Sequence, residues 1–371
     1  MSRLNELIQQ YCPDGVEFVQ IGQIAQVGTG SSNGNEADED GAFPFFIRSQ
    51  TVKRKNDYEY DEEAIIIPGE GGIGDIFHYI NGKYALHQRV YRIHFTIPSI
   101  NTKFAFFYLK SAFKQFILMK AVSATVVSIR KPMIEGFPIP IPPLPVQEEI
   151  VRILDTFTEL QAELQAELQK RLQQYNYYRD NLLSFEGRTD VEWKKLGELG
   201  HNLDRKRKPI TAGKREAGNI PYYGASGIVD YVKDYIFDGD YLLVSEDGAN
   251  LLTRTYPIAF SISGKNWVNN HAHIIEFVER ATRKYVEYYL NSIDLSSWIS
   301  AGAQPKLTQD NLNKIPIPVP PLSEQQRIVD ILDRFDALTT DITAGLPAEI
   351  EARRKQYEYY RDKLLSFKQK A

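Results

Sequence analysis

The sequence predicts an α+β fold with two mixed α/β domains, two long antiparallel coiled-coil helices that separate them, and an internal pseudo-two-fold repeat. Three observations predict this fold. The 371-residue chain repeats itself with a period of about 180 residues. In each copy an apolar stripe at three- and four-residue spacing follows a Pro-rich segment, which is typical of a long helix. The segment before each Pro-rich run is rich in aromatic and β-branched residues, which favour strands.

The two copies match most closely in the Pro-rich segment and in the tail that follows it. Pro138–Leu144 has the sequence PIPIPPL, and Pro316–Leu322, 178 residues later, has the sequence PIPVPPL. The tails end in nearly the same motif, Tyr177–Phe185 and Tyr359–Phe367, which are 182 residues apart. The offset grows by four residues, close to one helical turn, so the apolar face of the helix is kept. A repeat of this length indicates two domains rather than a solenoid.

The front parts of the two copies match more loosely. Each copy is therefore predicted to contain a divergent globular domain followed by a closely repeated tail. The matched segments are Pro44–Phe46 with Pro221–Tyr223, Ala64–Ile67 with Tyr241–Val244, Glu70-Gly71 with Asp247-Gly248, and His87 with His271.

Both tails are predicted to be long helices with one apolar face. From Val146 to Phe185 the first helix would extend about 60 Å at 1.5 Å per residue. In the second tail Ser323 and Gln326 have the spacing of a capping box, and Gly345–Pro347 predicts a kink or a break. Because an apolar stripe of this length is unstable in water, we expect the two tails to pack on each other as an antiparallel pair.

The globular domains are predicted to consist largely of strands. Hairpin turns are expected at Asn81-Gly82, Asp238-Gly239 and Ser263-Gly264, and helices at Thr102–Lys120 and Ala281–Asn291. The predicted boundaries are an N-terminal segment with the first domain over residues 1–144, a first spacer helix over 145–186, a second domain over 187–322 and a second spacer helix over 323–371.

The composition indicates a soluble protein of a reducing compartment, and we expect it in the cytoplasm. Cys12 is the sole cysteine, which excludes a disulfide framework and a zinc site built on several cysteines. The first residues do not resemble a signal peptide, and no apolar run has the length of a membrane span. The formal net charge of −4 argues weakly against a nucleic-acid binder, so a DNA-binding surface would have to come from local clusters of basic residues.

Two patterns that could indicate a cofactor or metal site lack the neighbouring sequence features that such sites need. Gly69–Gly74 fits the G-x-G-x-x-G pattern, but Asp75–Gly82 predicts a strand and a turn where a dinucleotide site needs a helix. A glycine loop that approaches a ligand or a DNA backbone is the better interpretation. His271 and His273 could suit a metal, but they lack a third ligand at fixed spacing and are predicted to be structural. We therefore predict no catalytic residues, no metal and no cofactor.

Basic and polar residues that cluster in each domain are the candidate DNA-binding residues. Lysine and arginine neutralise phosphates, and arginine or glutamine can bond base edges. Each run taken alone is more often a solvated loop, but its occurrence in both copies favours two surfaces for a two-part duplex target. The candidates are Arg48, Ser49, Gln50, Lys53, Arg54, Lys55, Arg130 and Lys131 in the first domain, and Lys206, Arg207, Lys208, Lys214, Tyr223, Ser226 and Lys306 in the second.

Over essentially its whole length the chain resembles the specificity (S) subunit of type I restriction-modification enzymes. The resemblance rests on the segments Pro142–Gln147 and Pro320–Gln325, on the two Tyr-Tyr-Arg-Asp ends, and on Leu160–Leu168, which is similar to the family's tandem tetrapeptide repeat. It implies two target-recognition domains that each recognise half of a bipartite DNA sequence. It also implies helices that set the spacing and dock methyltransferase (M) subunits, with restriction (R) subunits in the same complex, and no catalytic residues in this chain. From the sequence we expect no contact with a membrane.

Two other classes of function remain open from the sequence. The first is a coiled-coil interaction scaffold that does not itself bind DNA, although a scaffold has little reason to diversify its globular domains and keep its tails alike. The second is an enzyme whose site is assembled from residues scattered along the chain.

Overall fold

The computed structural model describes residues 2–72, 74–120, 128–300, 304–341 and 343–370. The chain forms two compact units, the first made of residues 1–164 with 350–371 and the second of residues 165–349. Each unit therefore contains one globular domain and segments of both tails. None of the helices in the described ranges is long and apolar enough to cross a membrane.

The first unit is built around one mixed sheet. Its elements are α1 (Ser2–Tyr11), β1 (Phe18–Gln20), α2 (Ile21–Ile24), β2 (Ala25–Thr29), β3 (Phe43–Phe46), β4 (Lys53–Lys55), β5 (Tyr60–Pro68), β6 (His78–Leu86), β7 (Val90–Phe95), α3 (Thr102–Lys120), α4 (Lys131–Glu135), β8 (Pro138–Pro140) and the start of α5 (Leu144–Leu182). The sheet has the order β2-β7-β5-β6-β3-β4, with β3 and β6 parallel and the other neighbours antiparallel. Strands β1 and β8 form a separate antiparallel pair.

Strand β5 separates two cores because its side chains alternate between the two faces of the sheet. Ile65 and Ile67 belong to the larger core together with Phe104 of α3. Ile66 lies in a smaller core with Tyr84. The unbroken apolar run in the sequence is therefore a strand that is buried on both faces.

The second unit distributes its strands over two larger sheets and a short pair. Its elements are the end of α5, β9 (Glu192–Lys195), α6 (Leu196–Leu199), β10 (His201–Asn202), β11 (Ala217–Gly224), β12 (Gly227–Val232), β13 (Phe237–Asp238), β14 (Tyr241–Ser245), α7 (Asn250–Thr253), β15 (Ala259–Ile262), β16 (Lys265–Val268), β17 (Ala272–Glu276), α8 (Arg280–Ser292), α9 (Gln309–Lys314), β18 (Pro316–Val319), α10 (Leu322–Thr339) and the start of α11 (Leu346–Leu364). The sheets have the orders β10-β17-β14-β15 and β12-β11-β16-β13, and β9 pairs with β18.

The same backbone hydrogen bonds occur at equivalent positions within each of the two units. The Gly69 amide donates to the Arg89 carbonyl at 2.9 Å, and the Glu246 amide donates to the His271 carbonyl at 2.9 Å. The parallel pair β3–β6 of the first unit has its counterpart in the parallel pair β11–β16 of the second. The predicted α+β class and the predicted internal repeat are confirmed.

The same bonds identify equivalent residues and correct one match made from the sequence. The His87 amide donates to the Phe46 carbonyl at 3.0 Å, and the Asn269 amide donates to the Tyr223 carbonyl at 3.1 Å. His87 therefore corresponds to Asn269, and its match with His271 is wrong. His271 instead occupies the position of the residue two places after His87, because similar residue type is a poorer guide to register than the hydrogen-bonding pattern.

In each unit the first half of one tail contacts the end of the other tail. In the first unit the ring of Phe157 stacks on Tyr360 with the ring centroids 5.5 Å apart. In the second unit Phe335, the repeat of Phe157, stacks on Tyr178, the repeat of Tyr360, also at 5.5 Å. The apolar stripes predicted from the sequence are thus used in the same way in both copies.

The helix predictions are correct in extent but not in every end. Helices α3 and α8 confirm the two predicted short helices, and α10 and α11 are separated between Thr339 and Leu346, which confirms the predicted break. The predicted cap at Ser323 is wrong, because α10 begins at Leu322 with Pro321 as its N-cap residue. The fixed φ of proline already suits a helix start, so the serine is not needed for it.

The three predicted hairpin turns are wrong. Asn81-Gly82 lies inside β6, where Gly82 has a positive φ of 126°. Asp238 is the last residue of β13, which pairs with β16, and Gly239 follows it. Ser263-Gly264 connects β15 to β16, which belong to different sheets. Glycine at these points accommodates an irregular strand or a crossing between sheets, which the dipeptide alone does not distinguish from a hairpin.

Candidate nucleic-acid interface

In the first unit an acid at the end of β5 holds two arginines that come from other parts of the domain. Glu70 stands in a glycine loop in which Gly71 has a φ of 71°, a conformation that a side chain would strain. The Glu70 carboxylate accepts from Nη1 of Arg89, at 3.1 and 3.0 Å to its two oxygens, and from Nη1 of Arg48 at 2.9 Å. Arg89 and Arg48 lower the pKa of Glu70 below its usual value, so the carboxylate is charged near neutral pH.

Two cavities flank Glu70, and both are lined by predicted DNA-binding residues. One has a volume of about 280 Å³ and is lined by Arg48 and His87 as well as Glu70. The other has a volume of about 300 Å³ and is lined by Arg89 and Arg130 as well as Glu70. The loop thus brings two of the predicted cations, Arg48 and Arg130, to one part of the surface.

The basic run on β4 lies at the edge of the sheet, but two of its cations are bonded within the domain. Arg54 donates to two backbone carbonyl oxygens of the loop before β3, from Nε at 2.5 Å and from Nη2 at 2.9 Å. Nζ of Lys55 lies 2.8 Å from Glu36, and this contact raises the pKa of Lys55. Lys53 is exposed. Arg54 and Lys55 therefore order the loop, although Arg54, like Lys53, is exposed.

The remaining candidates of the first unit occupy two places. Ser49 and Gln50 lie in the loop after β3, where the Ser49 carbonyl accepts from Nε2 of His78 at 3.1 Å. Burial lowers the pKa of His78, and Gln50 is exposed. Lys131 begins α4 and lies 3.5 Å from Glu135 one turn later.

The second unit has the arrangement of the Glu70 loop with different side chains. Asp247 occupies the position of Glu70, and the neighbouring Gly248 has a φ of 104°. His271, at the position of Arg89, has Nδ1 at 3.0 and 2.9 Å from the two oxygens of Asp247. About half of the His271 side chain is exposed.

A buried charge network lies next to this pair. Nδ1 of His273 donates to Asp204 at 2.6 Å, and Nε2 donates to the Leu307 carbonyl at 2.8 Å. Because both ring nitrogens face acceptors, the ring donates from both and carries a positive charge. Arg207 donates from Nη1 to Glu246 at 2.6 Å and is largely buried. Arg207, one of the predicted DNA-binding residues, is therefore part of the domain's internal network.

The acids of this network are charged in spite of their burial. Burial alone would raise the pKa of Asp204, but the hydrogen bond and the charge of His273 outweigh it and lower the pKa. Arg207 and His273 likewise outweigh burial and lower the pKa of Glu246. Within the described residues, ligand atoms of Asp204, Glu246 and His273 lie within 4.8 Å of one another. Arg207 and Lys306, the latter 3.0 Å from Glu246, already supply the opposing charge that a metal ion would bring.

The other candidates of the second unit lie at its surface or half buried. Tyr223 is half buried and packs against Phe260 with the ring centroids 6.2 Å apart, and burial raises its pKa. The exposed side chains are those of Lys206, Lys208, Lys214 and Ser226.

The two acid-held pairs, Glu70 with Arg89 and Asp247 with His271, form the centres of the two sites and were not among the DNA-binding candidates predicted from the sequence. Glu70 and Asp247 were visible as matched acid–glycine steps, and that signal could have found them. Their partners Arg89 and His271 lie 19 and 24 residues further along the chain. Only the strand pairing brings each partner back to its acid.

A family model described as the type I restriction modification DNA specificity domain matches residues 13–174 and again residues 189–352. The chain belongs to this family. The two matched ranges correspond to the two copies of the repeat, so each copy is one specificity domain.

Relatives in the type I specificity family match different shares of the chain. A protein of Haemophilus influenzae named as a type I restriction enzyme specificity subunit is 41% identical over 182 residues, 48% of this chain and 47% of that protein. An Escherichia coli specificity subunit is 40% identical over 259 residues, 62% of this chain and 63% of that protein. The chain thus spans about half to two thirds of the length of these two relatives. A protein of Mycoplasma pneumoniae named as a type I specificity subunit is 30% identical over 334 residues, 84% of this chain and 96% of that protein.

A solved structure supports the fold of the specificity family for this chain. The crystal structure of the type I restriction-modification S subunit from M. genitalium matches with a TM-score of 0.64 at 16% identity, covering 95% of this chain and 96% of that one.

Proposed function

We propose that this protein is the DNA-binding specificity subunit of a type I restriction-modification complex. Each globular domain would act as a target-recognition domain for one half of a bipartite double-stranded DNA sequence. The observation that carries the proposal is one backbone frame used twice with different side chains at its centre, an acid-held arginine in the first unit and an acid-held histidine in the second. Equivalent backbone positions that carry different polar side chains suit two different half-sites, because base identity is recognised by the pattern of hydrogen-bond donors and acceptors.

We further propose that the chain is non-catalytic and cytoplasmic. The acids at the two centres and in the buried network are held by arginine, histidine or lysine. Ion-paired acids of this kind orient their partners, and they are poor general bases because the cation stabilises the charged form. Methyl transfer and cleavage would come from the M and R subunits.

The ends of the tails support docking of two like partners. Tyr177 and Tyr359 occupy equivalent positions in the repeat, and their side chains are 65% and 62% exposed. Large exposed aromatic side chains are typical of protein interfaces. Two equivalent aromatic positions suit two methyltransferase subunits. Because the chain is acidic overall, those partners would also supply much of the phosphate neutralisation.

The direct test is methylome sequencing of cells that express this chain together with type I methyltransferase subunits. We expect methylation at a bipartite, asymmetric sequence with an unspecified spacer, and none when the chain is omitted. Stable binding to the methyltransferase without any sequence-dependent methylation would favour the scaffold alternative.

Helix α5, whose residues belong partly to each unit, is proposed to set the length of the spacer. Deleting one tetrapeptide, Leu164–Glu167, from α5 removes about 6 Å of helix at 1.5 Å per residue. With about 3.4 Å per base pair of DNA, we expect the spacer to shorten by one or two base pairs while both half-sites stay the same. Methylome sequencing measures this directly, and an unchanged spacer would refute the role of the helix as a ruler.

A further inference from the structure

We propose, on the basis of the function proposed above, that Arg89 and His271 are the equivalent base-contacting residues of the two domains. Arg89 would select guanine in one half-site. His271 would select a base with an exocyclic amino group, adenine or cytosine, in the other.

The two residues are held in the same way by the backbone and by neighbouring side chains. The Arg89 amide donates to Nδ1 of His87 at 3.0 Å, and the His271 amide donates to Oδ1 of Asn269 at 2.8 Å. Their carbonyl oxygens accept the equivalent amides described above. The backbone of Arg89 and of His271 is therefore held in place by hydrogen bonds, and both side chains are about half exposed.

In the first domain Glu70 orients the arginine and leaves one edge of it available. Both carboxylate oxygens of Glu70 bond to Nη1 of Arg89. Nε and Nη2 have no hydrogen-bond partner among the described residues, and these two donors form the edge that bonds N7 and O6 of guanine in the major groove. An arginine that is already oriented loses less conformational entropy when it binds.

In the second domain Asp247 fixes the tautomer of the histidine. A carboxylate only accepts hydrogen bonds, so Nδ1 of His271 donates to it. When the ring carries this single proton, Nε2 is left as an acceptor. Nε2 has no partner among the described residues. A single acceptor matches the amino group of adenine or cytosine in the major groove.

The loops beside both residues allow a close approach of DNA. A Cβ atom added at Gly248 would meet no other atom within 4 Å, so this part of the loop faces open space. Arg48 and Arg130 line the two cavities around Glu70. In the second domain Lys306 forms an ion pair with Glu246, the residue before Asp247. Exposed cations around each base-contacting residue would hold the phosphates on either side.

The test is methylome sequencing of variants in the complex with methyltransferase subunits. Arg89→Lys keeps the charge but removes the two-donor edge, so we expect one G·C position in one half-site to lose its preference by about tenfold or more, with the other half-site unchanged. His271→Arg places an arginine beside Asp247, and we expect a new guanine preference at one position of the other half-site. The matched control is Arg152→Lys, an arginine on α5 that is similarly exposed and paired with Glu149, for which both half-sites should stay the same.

The outcomes separate this inference from the proposed function. If the parent chain directs methylation to a bipartite target and both variants keep every base preference, the inference is wrong and the proposed function stands. A uniform fall in methylation with unchanged base preferences would assign the two residues to phosphate contact and would also overturn the inference. If the parent chain directs no sequence-specific methylation, the proposed function itself is wrong.

Discussion

Replacing Asp204 by alanine is expected to destabilise the second unit by about 3–5 kcal/mol, the usual effect of removing one partner from a buried ion pair. Asp204 is 4% exposed and accepts from Nδ1 of His273 and from the Ile274 amide. Without it Nδ1 of the buried His273 ring loses its acceptor. Arg207 loses one of its two acidic partners and keeps the other, Glu246. Urea unfolding of the full chain, compared with the parent protein, measures the difference.

The control for this prediction is Asp190→Ala. Asp190 also forms a close ion pair, with Arg188 at 2.6 Å, but its side chain is 64% exposed. Exposed pairs contribute little because water and salt screen them, so the free energy of unfolding should stay near that of the parent. Equal losses in the two variants would show that the burial of the Asp204 network does not matter.

The effect of Asp204 should depend on pH in a defined direction. Its pKa is lowered in the folded protein, so its stabilising contribution is fully present above its unfolded pKa of about 3.9 and is lost as the pH falls through the folded pKa. The difference in unfolding free energy between the parent and Asp204→Ala should therefore be constant near neutral pH and narrow below about pH 4. A difference that widens on acidification would contradict the assigned charge state.

The duplicated architecture could be predicted because its signals are local. The Pro-rich segments, the apolar stripes and the aromatic ends each lie within one stretch of sequence, and spacing alone identifies the helices. The hairpins could not be predicted from their dipeptides, because glycine serves a hairpin, an irregular strand and a crossing between sheets equally well. Gly82 inside β6 is the clearest example.

The candidate sites were predictable only in part because they depend on contacts between distant residues. The exposed cations Lys53 and Arg130 are visible as basic residues in the sequence. The sequence does not show that Arg207 belongs to a buried network, since its partner Glu246 lies 39 residues away. Nor does it show that an acid holds Arg89, because strand pairing creates that contact.

The glutamine of the repeated Pro-Pro-Leu-x-x-Gln motif should matter far more in the first copy than in the second. Gln147 is fully buried and makes three hydrogen bonds: Nε2 donates to the carbonyls of Ser99 at 2.8 Å and Pro142 at 2.6 Å, and Oε1 accepts from the Asn101 amide at 2.8 Å. Gln147→Leu keeps the approximate volume but leaves those backbone groups without their partner. We expect a loss of about 2–4 kcal/mol in the free energy of unfolding, measured with urea.

The matched control is Gln325→Leu at the same place in the second copy. Gln325 donates to the Pro320 carbonyl at 2.8 Å, but its Oε1 is buried without a hydrogen-bond partner among the described residues. Removing an unpaired buried oxygen offsets the loss of one bond, so the change should stay within about 1 kcal/mol. Equal losses of unfolding free energy would mean that the glutamine stabilises each copy only through its bond to the proline carbonyl of its own motif. Unequal losses would show that the turn before α3, which supplies Ser99 and Asn101, gives the same glutamine a different role in each copy.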